Sequence, residues 1–322
     1  MPGKFEKRSA RFLALFLALI MIGSAIAIAF RGMGSNQVEL RHVKYHFKSF
    51  REWLKCVPPT NELIYVSFRN CTNDTLWRYL QGVMTNNTIS EIFEPVAFTT
   101  PIQRMLVAFY PNGLLYLIDI NMSKMTASGE RVNINGVDVW VKDVRINGRY
   151  FEVAATPEVS PAIVGTAPQV KESVQAITGN GTNMSGEVGA YMKEIPGDFN
   201  AAFIFYGKRA ESLLQSNGTA FGDFYFAGIR MNGTLFEKVV AIHFIKPGGF
   251  VKSNNTSKEF VHYWVKNYYN KSLSVAVMDS TNFTQILNAE PQMRLIIIHM
   301  GKPVIHTGNS TGSANTGNAS KS

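Results

Sequence analysis

"RMLVAFYPNGLLYLIDI", Arg104–Ile120, holds two apolar runs joined at Pro111-Asn112-Gly113. Asn-Gly is the favoured pair for a tight hairpin, because both central residues of that turn need positive φ. The stretch therefore predicts two antiparallel strands. The same dipeptide recurs at Asn135-Gly136 and Asn147-Gly148, which extends the hairpin into a meander through "VDVWVKDV" and "RYFEVAAT". "NELIYVSF" (61–68) upstream and "PAIVG" (161–165) downstream read as further strands, with a short helix around "TLWRYL" (75–80).

A helix is expected over 167–178. Thr166 is placed to cap it, Pro168 sits in its first turn, and Val170, Val174 and Ile177 share one face. A second pass comes next, with a strand at "NAAFIFYG" (200–207) and a short helix at "AESLLQ" (210–215). A long hairpin (223–245) turns at Asn232-Gly233. A helix over 257–269 and strands at 273–278 and 293–299 complete this pass. Strand, short helix and long hairpin come in the same order twice. The expected class is α+β, with a β-rich antiparallel ectodomain and a few helices in two similar halves, 41–190 and 191–303.

The N-terminus predicts location. Lys4, Lys7, Arg8 and Arg11 precede Phe12–Phe30, 19 residues without a charge. At about 1.5 Å per helical residue, that run spans roughly the 30 Å hydrocarbon core. The expected layout is a basic cytoplasmic segment (1–11), a transmembrane anchor (12–30), a linker (31–40) and an exported remainder. The bilayer is thus an expected partner through residues 12–30. A cleaved signal peptide is the rival, since "SAIAIA" offers small residues; both readings export the chain beyond residue 31. "HTGNSTGSANTGNASKS" (306–322) has no apolar run to bury, and 304–322 is expected to be a disordered tail.

Sequons support export. Asn-x-Ser/Thr begins at Asn70, Asn73, Asn86, Asn121, Asn180, Asn183, Asn217, Asn232, Asn254, Asn255, Asn270, Asn282, Asn309 and Asn318, which is 14 of 25 asparagines. With 42 Ser plus Thr in 322 residues, chance gives roughly three. The excess predicts an N-glycosylated extracellular protein, archaeal or eukaryotic, and the short connections and simple anchor favour archaeal. "ITGNGTNMSGE" (177–187) looks like a phosphate cradle but lacks Gly-Lys-Ser/Thr, and reads instead as a glycosylated surface loop after a glycine-capped helix. Cys56 and Cys71 are the two cysteines. In an oxidising compartment they are expected to form one disulfide, worth up to roughly 3 kcal/mol.

Residues 41–57 ("RHVKYHFKSFREWLKCV") read as an amphipathic helix, with Val43, Phe47, Phe50 and Leu54 on its apolar face. Arg41, Lys44, Lys48, Arg51 and Lys55 form a basic stripe beside that face. So near the anchor, the stripe could rest on anionic headgroups; a solvated face of a packed helix is the alternative.

Chemical motifs are scarce. His42 and His46 have metal-sharing spacing, but no HExxH completes it. No GxSxG elbow, Walker motif or GxGxxG is present. "KPGGF" (246–250) reads as a turn. Asp279 and Ser280 with His262 or His299 can be drawn as a triad only on paper. "FVHYWVKNYYN" (260–270) could present a stacking surface for sugars or bases; core packing of an amphipathic helix explains Phe260 and Trp264 equally well, and Tyr263 and Tyr269 are expected to be partly exposed. No catalytic residue, cofactor, metal or nucleic-acid partner is expected. The expectation is a non-enzymatic binding ectodomain of the cell envelope whose partners are other envelope proteins or glycans. The alternatives are a tethered solute-binding module and an extracellular hydrolase.

Overall fold

The computed structural model describes residues 43–146, 148–246, 248–253, 260–294, 298–299 and 302–303, with side chains up to Arg294. The described residues fall in one compact unit. The segment 12–30, the tail from 304, Arg41, and Asn254, Asn255, Asn309 and Asn318 lie outside them. Among the described residues no helix is long and apolar enough to cross a membrane.

The centre is one antiparallel sheet of twelve strands. In chain order these are β1 (Glu62–Ser67), β2 (Arg104–Tyr110), β3 (Gly113–Asp119), β4 (Glu130–Ile134), β5 (Val137–Ile146), β6 (Arg149–Thr156) and β7 (Ala162–Thr166). Then come β8 (Ala201–Tyr206), β9 (Gly222–Asn232), β10 (Leu235–Phe244), β11 (His262–Tyr268) and β12 (Leu273–Ser280). Across the sheet the order is β11-β12-β10-β9-β8-β1-β2-β3-β7-β6-β5-β4, and neighbouring strands are antiparallel throughout. The middle seam pairs β1 with β8, Tyr65 opposite Ala202. From that seam the strands run 1-2-3-7-6-5-4 one way and 8-9-10-12-11 the other. The fold is β-rich α+β, as the hairpin sequence implies.

Six helices flank the sheet: α1 (Phe50–Trp53), α2 (Asp74–Asn86), α3 (Ala167–Ile177), α4 (Met184–Met192), α5 (Lys208–Leu213) and α6 (Phe283–Asn288). Alternation along each strand supplies both faces. Leu106 and Ala108 join one core with Leu63, Ile204, Phe226 and Val275, covered by Trp53, Val170, Val174 and Val188. Met105 and Val107 point the other way, into a core with Tyr116, Val164 and Ile92. On that second face the far half of the sheet has its own core, where Leu76, Leu80 and Ile286 pack on Tyr225, Val240 and Met278. Fully burying side chains of this size contributes about 1.5–3 kcal/mol each.

Two helix expectations fail. Residues 41–57 are not one helix. Tyr45–His46 is extended and pairs in parallel with Val159–Ser160. α1 starts only at Phe50, because Ser49 caps it: its hydroxyl accepts from Glu52 N–H while the Glu52 carboxylate accepts from Ser49 N–H. Leu54–Cys56 then tightens into a 3₁₀ turn. Residues 262–268 form strand β11 instead of a helix, since Tyr263, Val265 and Asn267 turn inward at period two, the spacing of a pleat. Conversely, the end of "ITGNGTNMSGE", expected to be loop, opens α4, capped by the Asn183 side chain on Gly186 N–H.

Candidate functional site

The cysteines do not pair. Cys56 is buried in the core beneath α3, whereas Cys71 packs at the edge of the core on the opposite face, so the sheet stands between them. The expected disulfide is corrected to two free thiols. Burial pushes Cys56 well above an ordinary thiol and raises Cys71 as well.

The basic stripe dissolves with its helix. Lys44 Nζ binds the buried Glu158 carboxylate at 2.8 Å and Gly136 O at 2.6 Å. The Arg51 guanidinium donates to Ile195 O. Lys48 and Lys55 are exposed, but no continuous row joins these cations.

Of the ten described sequon asparagines, Asn73 and Asn183 are half-buried. Asn70, Asn86, Asn121, Asn180, Asn217, Asn232, Asn270 and Asn282 are exposed. Asn73, Asn121, Asn183 and Asn282 are helix caps, each using Oδ1 to accept from backbone N–H groups of the next turn. Asn232 differs: its Nδ2 donates to Glu237 at 3.1 Å, inside the Arg230–Glu237 ion pair.

The paper triad is also dispersed. His262 Nδ1 meets Asp279 Oδ2 at 2.9 Å, but the Ser280 hydroxyl donates to Gln285 at 2.9 Å. Successive residues of β12 face opposite ways, so Ser280 cannot share a site with that pair.

The structure assembles a different cluster, where α4 crosses the ends of β8, β9 and β10. β9 carries a bulge between Gly222 and Phe224, which leaves Asp223 as the extra residue. A bulge re-aims a side chain, and here it sends the Asp223 carboxylate to His243 Nδ1 at 2.5 Å. The imidazole stacks on Tyr191 of α4, with centroids 4.7 Å apart and planes at 25°. Beside it, the Tyr206 hydroxyl donates to Glu187 at 2.9 Å. Burial, then the Glu187 carboxylate, pushes Tyr206 up to about 12. Burial and the charge on Asp223 raise Tyr191 too.

Chemically, Asp223 holds one ring nitrogen of a part-exposed histidine and so fixes the orientation of the ring. Tyr191 and Tyr206 add aromatic surface. Sequence reasoning takes His243 for a structural residue and passes over Asp223. The available signal is the hairpin itself: turning near Asn232-Gly233 brings 223 and 243 to the same end of the sheet.

A second feature is the aromatic end of the sheet. Trp264 on β11 is 45% exposed, and Val261 before the strand and Tyr269 after it are 54% and 74% exposed. Of the two readings of Trp264, core packing or exposed surface, the pleat selects exposure, because this position faces outward.

Residues 46–178 match the AF_2048_N family N-terminal domain. Among solved structures, crystal forms IV and III of TP0453 align with 73% of this chain and 96% of theirs, at 9% and 8% identity and TM-scores of 0.36 and 0.35. An uncharacterized protein of Archaeoglobus fulgidus is 32% identical over 305 residues, covering 91% of this chain and 95% of that one. On that identity and coverage, the chain belongs to the same family as this Archaeoglobus fulgidus protein.

Proposed function

We propose that this is a single-span, N-in membrane protein of an archaeal cell envelope, whose N-glycosylated ectodomain works by binding other envelope components. The anchor is Phe12–Phe30, and Lys4, Lys7, Arg8 and Arg11 hold its start in the cytoplasm. The observation that carries export is the sequon set, far in excess of chance, with all ten described members outside the core. Binding is supported by the outer strand β11, where Trp264 exposes a large aromatic side chain at the end of the sheet.

The ectodomain is read as a duplicated unit, 41–190 and 191–303. From the central seam the order 1-2-3-7-6 parallels 8-9-10-12-11, and the first half carries β5 and β4 in addition. A helix follows the first strand (α2, α5), and another follows the strand beside the hairpin (α3, α6). The matched family domain, 46–178, ends just after α3, twelve residues before the proposed division and ahead of α4.

Intact mass and N-terminal sequencing of membrane-extracted protein, before and after deglycosylation, test this reading. A start upstream of Phe12 with excess mass on many asparagines is expected. A start near residue 28–32 with bare asparagines overturns both the anchor and the glycans.

The Tyr191–His243–Asp223 cluster favours one second reading, a tethered solute-binding module with this aromatic corner as its site. Under that reading Tyr191→Ala abolishes ligand-induced thermal stabilisation, and an unchanged response rejects it.

A further inference from the structure

The two ends of the sheet are built differently. β4, at one end, is polar: Glu130, Arg131 and Asn133 are exposed, and Asn133 bonds Asp138 beside it. Charges on an edge strand discourage pairing with another chain. β11, at the other end, carries one lysine, Lys266, and a histidine already paired with Asp279. Seven registered positions bind it to β12, and among the described residues no strand pairs with its other side. It contains no proline, and its inward face is held down by Tyr263 and Asn267, which donate to Lys252 O at 2.9 Å and Val251 O at 3.1 Å. Such a strand is stiff, open and largely apolar.

We infer that β11 is the interface of a homodimer, in which two copies pair this strand antiparallel about Val265 and continue the sheet across a two-fold axis. The inference rests on the reading of this sheet end as a binding surface and names its partner. A two-fold axis perpendicular to the sheet keeps each face continuous, so only residues of one face oppose each other. The axis must then pass through Trp264, Val265 or Lys266 to use most of the strand. Through Lys266 it sets Lys266 against its own copy. Through Trp264 it sets His262 against Lys266 and leaves Asn267 and Tyr268 unmatched. Through Val265 all seven residues find partners: Trp264 meets Lys266 twice, Tyr263 meets Asn267 twice, and His262 meets Tyr268 twice. No like charges face each other, and each Trp264–Lys266 pair is a cation–π contact. β11 is therefore self-complementary in one register.

Sedimentation of the full chain in detergent tests this. A dimer is expected, and Trp264→Lys should raise its Kd by about tenfold, because two attractive pairs become two like-charge pairs. The double variant Trp264→Lys with Lys266→Glu should recover it, since each new lysine then opposes a glutamate. Circular dichroism of the variants checks that these exposed substitutions leave the fold intact. A chain that stays monomeric at high concentration overturns the inference, and so does a dimer indifferent to Trp264→Lys. A double variant no better than the single one overturns the register.

Hydrogen exchange separates failure of the partner from failure of the surface. Fast outward amides of β11 in a monomeric chain reject the second copy and leave the edge open for another partner. Protected outward amides in a monomer reject the binding surface itself.

Discussion

Gly113 carries a message that its neighbours disguise. In sequence it completes Asn112-Gly113, a turn pair. In the structure Tyr110 lies opposite Gly113, so the two loop residues are Pro111 and Asn112, and neither Asn112 nor Gly113 has positive φ. Glycine is required for another reason: a Cβ here would collide with the Thr166 hydroxyl and sit 2.6 Å from Gln169 Oε1. At Asn135-Gly136 the expected turn does form, with φ of 50° and 83°. The hairpins are legible from either pattern; the reason for a particular glycine is not, because it depends on a strand some fifty residues away. The cysteines teach the same lesson, since spacing cannot say which face of a sheet each occupies. Non-reducing peptide mapping should find no Cys56–Cys71 crosslink. In the native protein, alkylation should reach Cys71 slowly and Cys56 only on unfolding, because both thiols are raised by burial. Glu52 gives a pH effect. Backbone N–H groups of Lys48 and Ser49 hold its carboxyl below the ordinary 4.5. Its stabilisation is therefore complete above the unfolded value and is lost as pH falls through the lower folded one. Denaturant melts of Glu52→Gln against the parent should differ more at pH 7 than at pH 3.

Elements are most legible where one pattern dominates. The long hairpin β9–β10 and helix α3 follow from apolar periodicity, although the Thr166 hydroxyl makes no capping hydrogen bond and turns to Leu114 O and Gln169 instead. β11 escapes sequence reading because its aromatics suit both a helix face and a pleat, and only the pairing with β12 decides. α4 hides behind glycines that look like a loop, and with it goes the candidate cluster, since Tyr191 and Glu187 lie on that helix. The Asp223 bulge has no sequence signature at all: it is an offset in register between two strands. α6 shows how an element is fastened from outside. Lys238, buried in β10, donates to Leu287 O at 3.2 Å and Ala289 O at 2.6 Å and pairs with Glu290 at 2.9 Å. It satisfies carbonyls that the end of a helix leaves open. Lys238→Ala should cost roughly 1–3 kcal/mol by stranding these acceptors. Proteolysis within 283–290 should accelerate in parallel, measured against global unfolding by denaturant.

At the level of the entire described unit, the repeated strand order does not make two independent bodies. The core beneath α3 and α4 draws Leu106 and Ile163 from one half and Phe226 and Val275 from the other. β1 and β8 complete each other's hydrogen bonds at the seam. Thermal unfolding should therefore be a single transition with matching calorimetric and van't Hoff enthalpies. A fragment ending at residue 190 should lack a cooperative melt and associate through its bare β1 edge. Two separate transitions would reject that coupling. The seam has a temporal consequence as well. Asn200 donates to Ser67 O across 133 residues of chain. A polypeptide emerging from the ribosome or a translocation channel exposes β1 long before its central neighbour exists. Contacts so distant in sequence form slowly, and an unpaired strand in the meantime invites the wrong neighbour. The middle of this sheet must therefore wait for β8, and the bare edge of β1 is what a chaperone at the exit site would cover until then.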